Sequence, residues 1–388
     1  MIRPAVFLLL LFAAAGPAGA AGPITDRNYG IDAYRGAAVA DYRVIGMGGA
    51  SLATAEGATG LLTNPAAAAS RPATANSWFY WDWLLDLYTP GLGVDSDNSG
   101  IPQDQVIGKT GAGNAGLVGM FGAWGTALTL TGEIRDFDLP SGTHASLSAA
   151  MGRLTLARSF GDGAWVVGAS VVLGGLTLKS ANGINLVNSV NWGVEAGALW
   201  QPHEENVRFG VTFRPAIQAR VDGTACDPNN CLGYILPDRV VFPWTAGAGV
   251  AVRFGGTPWN QVVASDFRDE RSTILAADLI VTGPVANGDG LDAFLEKQMQ
   301  ASGTTATTSV RLGAEYEWIP GWLRVRGGAY WEPNRFDDVS GRLHVTAGFD
   351  VRFWSFSLWG SPYRMRFSLA GDGARRYGNT VLSIGFWH

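Results

Sequence analysis

Charge is scarce in this 388-residue sequence. Asp, Glu, Lys and Arg make up 16% of the residues, whereas soluble domains carry roughly 25%. A soluble protein of this length would place more charge on its surface, so the composition argues against a soluble enzyme. The formal net charge of -5 also argues against a nucleic-acid partner, because phosphate binding needs clustered Lys and Arg.

Long hydrophobic runs are also lacking after the first twenty residues. The richest later segment, 164–176, contains three glycines, and a membrane-spanning helix needs about 18 or more apolar residues in succession. The sequence therefore excludes a helical membrane protein of the usual kind.

The first twenty residues have the pattern of a cleaved secretory signal. Arg3 is the positive residue, residues 6–15 are apolar, and residues 18–20 offer a small-x-small cleavage site. We therefore expect residues 1–20 to be a signal peptide that directs export.

Glycines, aromatic residues and alternating segments are plentiful. The chain has 53 Gly, 15 Trp, 10 Tyr and 18 Phe. Apolar and polar residues alternate through 207–214, 310–318 and 343–353, and a period of two is the pattern of a β-strand. These runs are about ten residues long, which suits a tilted strand crossing a membrane.

Reading such runs in order predicts about fourteen strands, an even number as single-chain outer-membrane barrels have. They lie near 74–86, 114–121, 125–135, 143–160, 164–179, 188–201, 206–218, 239–254, 259–282, 306–318, 322–331, 342–354, 363–370 and 379–387.

The predicted links alternate in length. Short links follow even-numbered strands at 161–163, 202–205, 255–258 and 319–321, and longer links follow odd-numbered strands at 87–113, 219–238, 283–305 and 371–378. Short periplasmic turns and long outer loops are typical of outer-membrane barrels. Four tryptophans lie near the ends of predicted strands, where the aromatic girdles of membrane barrels are found: Trp200, Trp318, Trp322 and Trp331. We expect residues 74–388 to form an all-β, transmembrane antiparallel barrel.

Residues 21–73 do not alternate. Residues 45–69 are rich in Ala and Gly and are interrupted at Asn64-Pro65, where the proline disfavours a continuous helix. This composition predicts short helical turns in a compact plug inside the lumen, here called the hatch.

Two motifs in the hatch resemble the FadL-type outer-membrane transporters of long-chain fatty acids and other hydrophobic compounds. They are Gly46-Met47-Gly48-Gly49-Ala50 and Asn64-Pro65-Ala66, followed in the barrel by further similar segments at 206–215, 236–238, 311–316 and 323–330. The resemblance implies a fourteen-strand barrel with a small N-terminal helical hatch. It also implies capture of a hydrophobic ligand by outer loops, a pocket above the hatch and a sideways exit through the wall.

Candidate ligand residues fall into two apolar groups and one basic group. Trp81, Trp83, Leu84 and Leu85 follow one another near the predicted end of the first strand, and Phe294 and Leu295 lie on one face of a possible loop helix. Both groups could bury themselves in a loop cap or line an access groove for an apolar ligand. The basic group is Arg311, Arg324 and Arg326, which could pair with a ligand carboxylate or with Glu315 and Glu317.

Other chemistry is weakly indicated. Cys226 and Cys231 are the only cysteines, and in an oxidising compartment we expect them to form a disulfide in an outer loop. Residues 95–100 match half of a calcium loop but lack the terminal Glu, so a solvated loop is the preferred interpretation. No nucleophile motif accompanies the four histidines, and no metal or cofactor is implied.

The sequence therefore predicts a non-enzymatic, monomeric barrel of a Gram-negative-type outer membrane. The leading hypothesis is passive transport of long-chain fatty acids or other hydrophobic compounds, with outer-membrane lipid as the surrounding partner. The alternative is a non-transporting barrel that serves a secretion or surface-attachment system. A continuous apolar cavity above the hatch would favour transport, and a lumen packed with charge pairs would favour the alternative.

Overall fold

The computed structural model describes residues 22–34, 36–37, 40–74, 77–90, 95–105, 110–221, 226–263, 265–337, 339–358 and 360–387. The predicted signal peptide, residues 1–20, lies outside the described residues. Among the described residues, no helix combines the length and the hydrophobicity needed to cross a bilayer.

Strands dominate the described chain. In order they are β1 (Gly30–Asp32), β2 (Phe79–Pro90), β3 (Asp104–Gln105), β4 (Gly111–Phe121), β5 (Trp124–Asp138), β6 (His144–Phe160), β7 (Trp165–Ser180), β8 (Asn185–Trp200), β9 (Val207–Arg214), β10 (Ile217–Arg220), β11 (Arg239–Phe242), β12 (Thr245–Gly255), β13 (Ser272–Thr282), β14 (Gly288–Asp289), β15 (Thr307–Ile319), β16 (Leu323–Glu332), β17 (Arg342–Leu358), β18 (Ser361–Ala374) and β19 (Tyr377–Phe386).

Fourteen of these strands close into an antiparallel barrel. They are β2, β4 to β9, β12, β13 and β15 to β19, each paired with the next in chain order, and β19 pairs back with β2. The predicted strand number and fold class are confirmed. In hydrocarbon every backbone N–H and C=O needs a partner inside the protein, and closing the sheet supplies one for strands that would otherwise lie at an edge.

The two faces of the wall differ as the alternation predicts. On β5, Leu128 and Leu130 are exposed on the outside, whereas Thr129 between them is buried on the inside. Trp200, Trp318, Trp322 and Trp331 are all exposed at strand ends, in the position of aromatic girdles. The outer surface is thus apolar with aromatic borders, and the inner surface is polar.

One predicted strand was too long. The segment predicted as a strand over 259–282 forms β13 only from Ser272, and the residues before it make a turn-rich segment at the end of the barrel that carries the short links. The Asn260 amide holds this segment by donating to the carbonyl oxygens of Pro202 (2.9 Å) and Val207 (3.0 Å). These bonds fix Asn260 to the turn between β8 and β9, so this segment lies across the barrel end and does not extend the wall.

Two other predicted strands are divided at prolines. The strand predicted over 206–218 splits into β9 and β10 around Pro215, and the one predicted over 239–254 splits into β11 and β12 around Pro243. Proline has no N–H to donate to the ladder, which explains both breaks. The predicted long loop at 371–378 is also wrong, because β18 and β19 meet in a tight turn at residues 375–376.

The hatch lies inside the end of the barrel that carries the short turns, which is the periplasmic end by the usual asymmetry. It contains α1 (Tyr42–Gly46), α2 (Gly57–Gly60) and a 3₁₀ helix, Pro65–Ala69. Asn64 caps the 3₁₀ helix by accepting a hydrogen bond from the Ala66 N–H at 3.1 Å, and Pro65 occupies the first position, where no N–H is needed.

A second, small sheet closes the opposite end. Its order is β10-β11-β1-β14, with β1 running parallel to both neighbours. A helix, α3 (Leu291–Leu295), packs beside it. Together they bury an apolar cluster, the cap cluster, that includes Tyr29, Ile31, Leu178, Val240, Phe294 and Leu295. The N-terminal segment therefore passes through the lumen and pairs with the outer loops.

Candidate functional site

The hatch rests on wall positions that carry no side chain. Four of these are Gly125 on β5, Gly168 on β7, Gly197 on β8 and Gly210 on β9. A Cβ added at Gly168 would lie 2.4 Å from the Pro65 carbonyl oxygen, and one at Gly210 would lie 2.1 Å from the Leu52 carbonyl oxygen. Because the wall has no side chains at these positions, the hatch backbone can contact the strand backbone directly.

The opposite wall repeats this arrangement around the first hatch motif. Gly48 has a positive φ of 62°, and a Cβ on it would lie 2.6 Å from the Ala329 nitrogen and from the Leu312 carbonyl oxygen. Both the backbone conformation and the close approach require glycine at this position. Gly48 of the first hatch motif thus serves packing against β15 and β16.

Wall carboxylates fix the hatch by hydrogen bonds. Asp278 on β13 accepts from the N–H groups of Ser51 (2.7 Å) and Leu52 (2.9 Å). Asp82 on β2 accepts from the Ala58 N–H at 2.7 Å. Because buried N–H groups are costly when they lack acceptors, these bonds define where the hatch sits.

One side of the lumen is filled by paired charges. Arg326 contacts Asp350 at 2.6 Å and Glu315 at 2.5 Å, and Glu315 also binds Arg43 of the hatch at 2.9 Å. Arg324 pairs with Glu317 at 3.0 Å. Two of the three predicted ligand arginines, Arg324 and Arg326, are therefore engaged with the internal carboxylates that the sequence offered as their other partners.

The other side of the lumen is open. A cavity of about 280 Å³, here called the lumen cavity, lies between the hatch and the small sheet. Its lining includes Val44, Leu52 and Leu62 of the hatch, Ala149 and Met151 of β6, Phe242 and Ile280. These apolar side chains share the lining with hydroxyl groups such as those of Thr131, Thr212 and Ser309 and with charged side chains, so the cavity is of mixed polarity. Small-molecule sites combine apolar surface with placed polar groups in this way.

Three arginines and two glutamates also line the lumen cavity: Arg153, Arg214, Arg311, Glu133 and Glu195. Glu133 pairs with Arg135 at 2.8 Å, and Glu195 lies 3.6 Å from Arg153. Arg311 donates to the Gly49 carbonyl oxygen at 3.5 Å, and Arg214 donates to that of Pro243 at 3.4 Å. In the described part of the chain, no ion pair joins Arg214 or Arg311 to a carboxylate.

Of the nine predicted ligand residues, Arg311 lines the lumen cavity. Trp81, Trp83 and Leu85 occupy the outward face of β2, where Trp81 packs edge-on against Phe386 at 4.9 Å between ring centroids. Leu84 points inward and packs in a cluster with hatch alanines. This stretch lies at the periplasmic end of the first strand, because β2 begins at Phe79.

Phe294 and Leu295 lie on α3, the loop helix that the sequence suggested. Both are buried in the cap cluster, with the Phe294 ring 5.4 Å from that of Tyr234. Cys226 and Cys231 in the neighbouring loop are joined by a disulfide, as predicted. These residues hold the outer end of the barrel together.

Sequence reasoning missed Arg153 and Arg214. Arg214 and Arg208 are an even number of residues apart on β9, so their side chains lie on the same, inward face. The alternation was therefore enough to predict the direction of the Arg214 side chain. What the alternation could not supply was the inward turn at Pro215, which opens the space that Arg214 faces.

Acidic residues gather in the outer loops. The Asp95 side chain accepts from the Gly100 N–H at 3.1 Å, and Asp292 accepts from Gln103 and Ser99. Burial raises the pKa of Asp95 to about 6 and that of Asp289 to about 7. Across the described ranges, no three His, Cys, Asp or Glu residues are grouped to hold a metal ion.

No family model and no curated protein matches the sequence. Solved structures do match. A FadL homologue from Pseudomonas aeruginosa aligns with a TM-score of 0.54 and 11% identity over 95% of this chain and 99% of that one. A deltaS2 mutant of TodX, a monoaromatic hydrocarbon channel, gives 0.52 and 14% over 89% and 98%.

The monoaromatic hydrocarbon channel CymD gives a TM-score of 0.50 with 14% identity over 89% of this chain and 96% of that one. At such identities the likeness concerns the fold. A closed barrel of fourteen strands, apolar outside and plugged from its N-terminal end, is a feature of the structure itself. The chain is therefore an outer-membrane-type β-barrel with the fold of the FadL-homologue and hydrocarbon-channel structures.

Proposed function

We propose that the protein carries hydrophobic compounds passively across a Gram-negative-type outer membrane. The observation that supports this most is the lumen cavity, which lies between the small sheet and the hatch and combines apolar side chains with hydroxyl, arginine and glutamate side chains. A wide water-filled pore would not favour apolar solutes, whereas the apolar part of a cavity behind a plug gives them a place to leave water. The TodX and CymD structures are described as monoaromatic hydrocarbon channels, which fits the same class of cargo.

The preferred cargo of this chain is an amphiphile with a long apolar part and a carboxylate, such as a long-chain fatty acid. Arg214 and Arg311 both face the lumen cavity. Within the described residues their hydrogen bonds are long, 3.4 Å from Arg214 to the Pro243 carbonyl oxygen and 3.5 Å from Arg311 to the Gly49 carbonyl oxygen and to the Ser309 hydroxyl. A carboxylate would form charge-assisted hydrogen bonds with either guanidinium. The nearby Val44, Leu52 and Phe242 would contact the apolar part.

This function requires export and removal of residues 1–20 as a signal peptide, with residues 21–73 acting as the hatch of a monomeric barrel, residues 74–388. No cofactor or energy source enters the proposal, because diffusion down a gradient needs neither.

Uptake by whole cells tests the proposal. Cells lacking the gene should take up radiolabelled oleate or toluene poorly, and the wild-type gene should restore uptake. Ala149→Trp, which fills the lumen cavity from β6, should fail to restore it. Ala248→Trp, on the lipid-facing side of β12, makes the same change outside the lumen and should restore it. Unchanged uptake after deletion would refute transport.

The alternative, a non-transporting partner of a secretion or surface-attachment system, is favoured by one observation. The Arg326, Glu315 and Asp350 network fills part of the lumen with charge. If deletion leaves uptake unchanged but abolishes secretion or attachment of surface proteins, this second function replaces the first.

A further inference from the structure

A second cavity lies on the periplasmic side of the hatch. It measures about 110 Å³, less than half of the lumen cavity, and the two cavities share no lining residue. Tyr42 and Glu56 border it from the hatch, and Trp259 and Arg268 border it from the turn-rich segment before β13. This space, here called the arginine cavity, has room for a small polar group and none for a long apolar chain.

Positive charge predominates in the lining of the arginine cavity. Six arginines and three glutamates line it: Arg43, Arg208, Arg253, Arg268, Arg324 and Arg366, with Glu56, Glu315 and Glu317. Four of the arginines have a carboxylate partner, in the pairs Arg43–Glu315 (2.9 Å), Arg208–Glu56 (2.7 Å), Arg253–Glu270 (2.5 Å) and Arg324–Glu317 (3.0 Å). Because arginine stays protonated in proteins, the charges of Arg268 and Arg366 remain to be balanced.

Arg268 donates its hydrogen bonds to backbone oxygen atoms only. Its Nη1 donates to the Trp259 carbonyl oxygen at 3.1 Å and its Nη2 to that of Gln261 at 2.7 Å, while its buried Nε has no acceptor. Within the described ranges no carboxylate forms an ion pair with it. Burial, and next the repulsion from Arg253, lowers the pKa of the Arg268 guanidinium. An anion in the arginine cavity would offset both effects.

Arg366 enters the arginine cavity from β18 and is held by neutral oxygen atoms. Its Nε donates to the Phe386 carbonyl oxygen at 2.9 Å, and its Nη1 donates to the Ser368 hydroxyl at 2.8 Å. Asp41 and Asp86 attract its charge, but in the part of the chain that the structure describes neither forms an ion pair with it. Its Nη2 donates no hydrogen bond to any described residue, so Arg366 retains donor capacity.

The arginine cavity is bounded by a side chain that connects the hatch with the periplasmic turns. Arg208 on β9 is buried, and it donates to Glu56 of the hatch at 2.7 Å and to Asn260 of the turn-rich segment at 2.7 Å. Its guanidinium also lies 4.2 Å from the centroid of the Trp259 ring. A ligand in this cavity would therefore touch both the hatch and the turn-rich segment.

We propose that the arginine cavity is a binding site for a phosphate group, with Arg268 and Arg366 supplying the charge that no carboxylate of the protein neutralises in an ion pair. Guanidinium groups form charge-assisted, bidentate hydrogen bonds with phosphate oxygens. A phosphate group carries a charge of about −1.5 to −2 at neutral pH, which matches two unbalanced arginines better than a carboxylate does. This site is separate from the proposed transport function and does not require it.

Free periplasmic phosphate and the headgroup of a phospholipid share this chemistry. The small volume of the arginine cavity leaves no place for acyl chains, so a bound phospholipid would have to keep its chains outside. Either ligand would join the hatch to the turn-rich segment and so hold the hatch in place.

Isothermal titration of inorganic phosphate into the purified barrel, in detergent free of phospholipid, tests the site. Wild type should bind one phosphate and should bind acetate much more weakly. Arg268→Gln should weaken phosphate binding about tenfold or more, the effect of losing a charge-assisted contact. Arg268→Lys keeps the charge and should bind phosphate nearly as tightly as wild type, whereas a purely structural role of Arg268 predicts equal loss in both variants.

The matched control is Arg352→Gln, which removes a positive charge at the same end of the barrel but outside the arginine cavity. The Arg352 guanidinium lies 3.8 Å from the centroid of the Trp322 ring, and this variant should bind phosphate as wild type does. Equal loss in Arg352→Gln and Arg268→Gln would overturn the site. If Arg268→Gln does not fold, wild type alone decides, because phosphate binding no tighter than acetate binding also overturns it.

Native mass spectrometry of the barrel from phosphatidylglycerol nanodiscs identifies the source of the phosphate. One phosphatidylglycerol that is retained by wild type, displaced by inorganic phosphate and lost in Arg268→Gln would support a lipid headgroup in the site. Phosphate binding without such retention would support free phosphate. Neither measurement involves oleate, so both remain valid whether or not the proposed transport is found.

Discussion

Substituting Gly168 with alanine should loosen the hatch. A Cβ at this position would lie 2.4 Å from the Pro65 carbonyl oxygen and 2.7 Å from the Ala66 nitrogen. Both are backbone atoms of the hatch, and neither can rotate away as a side chain could. Ordinary contact needs about 3.4 Å, so the hatch must retreat by about 1 Å.

The magnitude follows from the cost of overpacking, which is about 1–3 kcal/mol for one extra carbon in a tight site. Since 1.4 kcal/mol is a factor of ten, the equilibrium between a closed and a displaced hatch should shift by about 5- to 150-fold. The barrel ladder itself is untouched, because the strain falls on the hatch side of the contact.

Conductance across planar bilayers measures this shift. Gly168→Ala should show more frequent and longer ion-conducting openings than wild type. The matched control is Gly132→Ala on β5, where an added Cβ meets nothing within 4 Å; it should remain as closed as wild type. Equal conductance in both variants would refute the idea that the hatch rests on bare wall glycines.

Three other changes give distinct outcomes. Asp278→Ala removes the acceptor for two hatch N–H groups and should weaken hatch docking by about 1–3 kcal/mol; limited proteolysis should cut the hatch faster, and an unchanged cleavage rate would contradict this. Arg311→Gln should weaken oleate binding about tenfold or more by removing a charge-assisted contact while leaving toluene binding unchanged, as isothermal titration would show; an equal loss for both ligands would argue against a carboxylate site. Burial raises the pKa of the Asp289 carboxyl from its ordinary 3.8 to about 7. Between these two values the folded protein keeps a proton that the unfolded chain releases, so the small sheet should lose stability as pH rises from about 4 to about 7. Hydrogen exchange in β1 and β14, corrected for intrinsic rates, should therefore report more opening at pH 8 than at pH 5, and Asp289→Asn should remove the difference; a pH-dependence that persists in the variant would contradict the assignment.

The alternation of apolar and polar residues was enough to predict the barrel. Runs such as 207–214 and 343–353 predict strands because one face of the wall contacts lipid and the other a polar lumen. Lipid favours an apolar side chain at every second residue, and the lumen favours a polar one at the residues between. Thirteen residues before Ser272 were misread as strand because apolar Trp259 and Val262 suggested it. Their backbone is held by side chains such as Asn260 instead.

The interior was less predictable than the wall. Inward parity identified Arg311, Arg324 and Arg326 as lumenal, but it could not say which would find a carboxylate, because that depends on strand register. Arg326 lies opposite Glu315 on β15 and Gly348 on β17, and it forms an ion pair with Glu315. Arg311 lies opposite Asp278 on β13, but Oδ2 of that carboxylate already accepts hydrogen bonds from two hatch N–H groups.

Residue type also misled the ligand prediction on β2. Trp81, Trp83 and Leu85 are apolar and adjacent in sequence, which suggested a groove. Their spacing of two puts them on the lipid face together, and of the four ligand residues predicted here only Leu84 reaches the interior. The same parity argument that predicted the barrel would have separated these residues.

Native mass spectrometry of the purified barrel with oleate tests the account most directly, because it asks whether the lumen cavity holds an apolar molecule. Wild type and Ala248→Trp should each retain one oleate, and Ala149→Trp should retain none. Equal oleate occupancy in all three proteins, or none in any of them, would contradict the account.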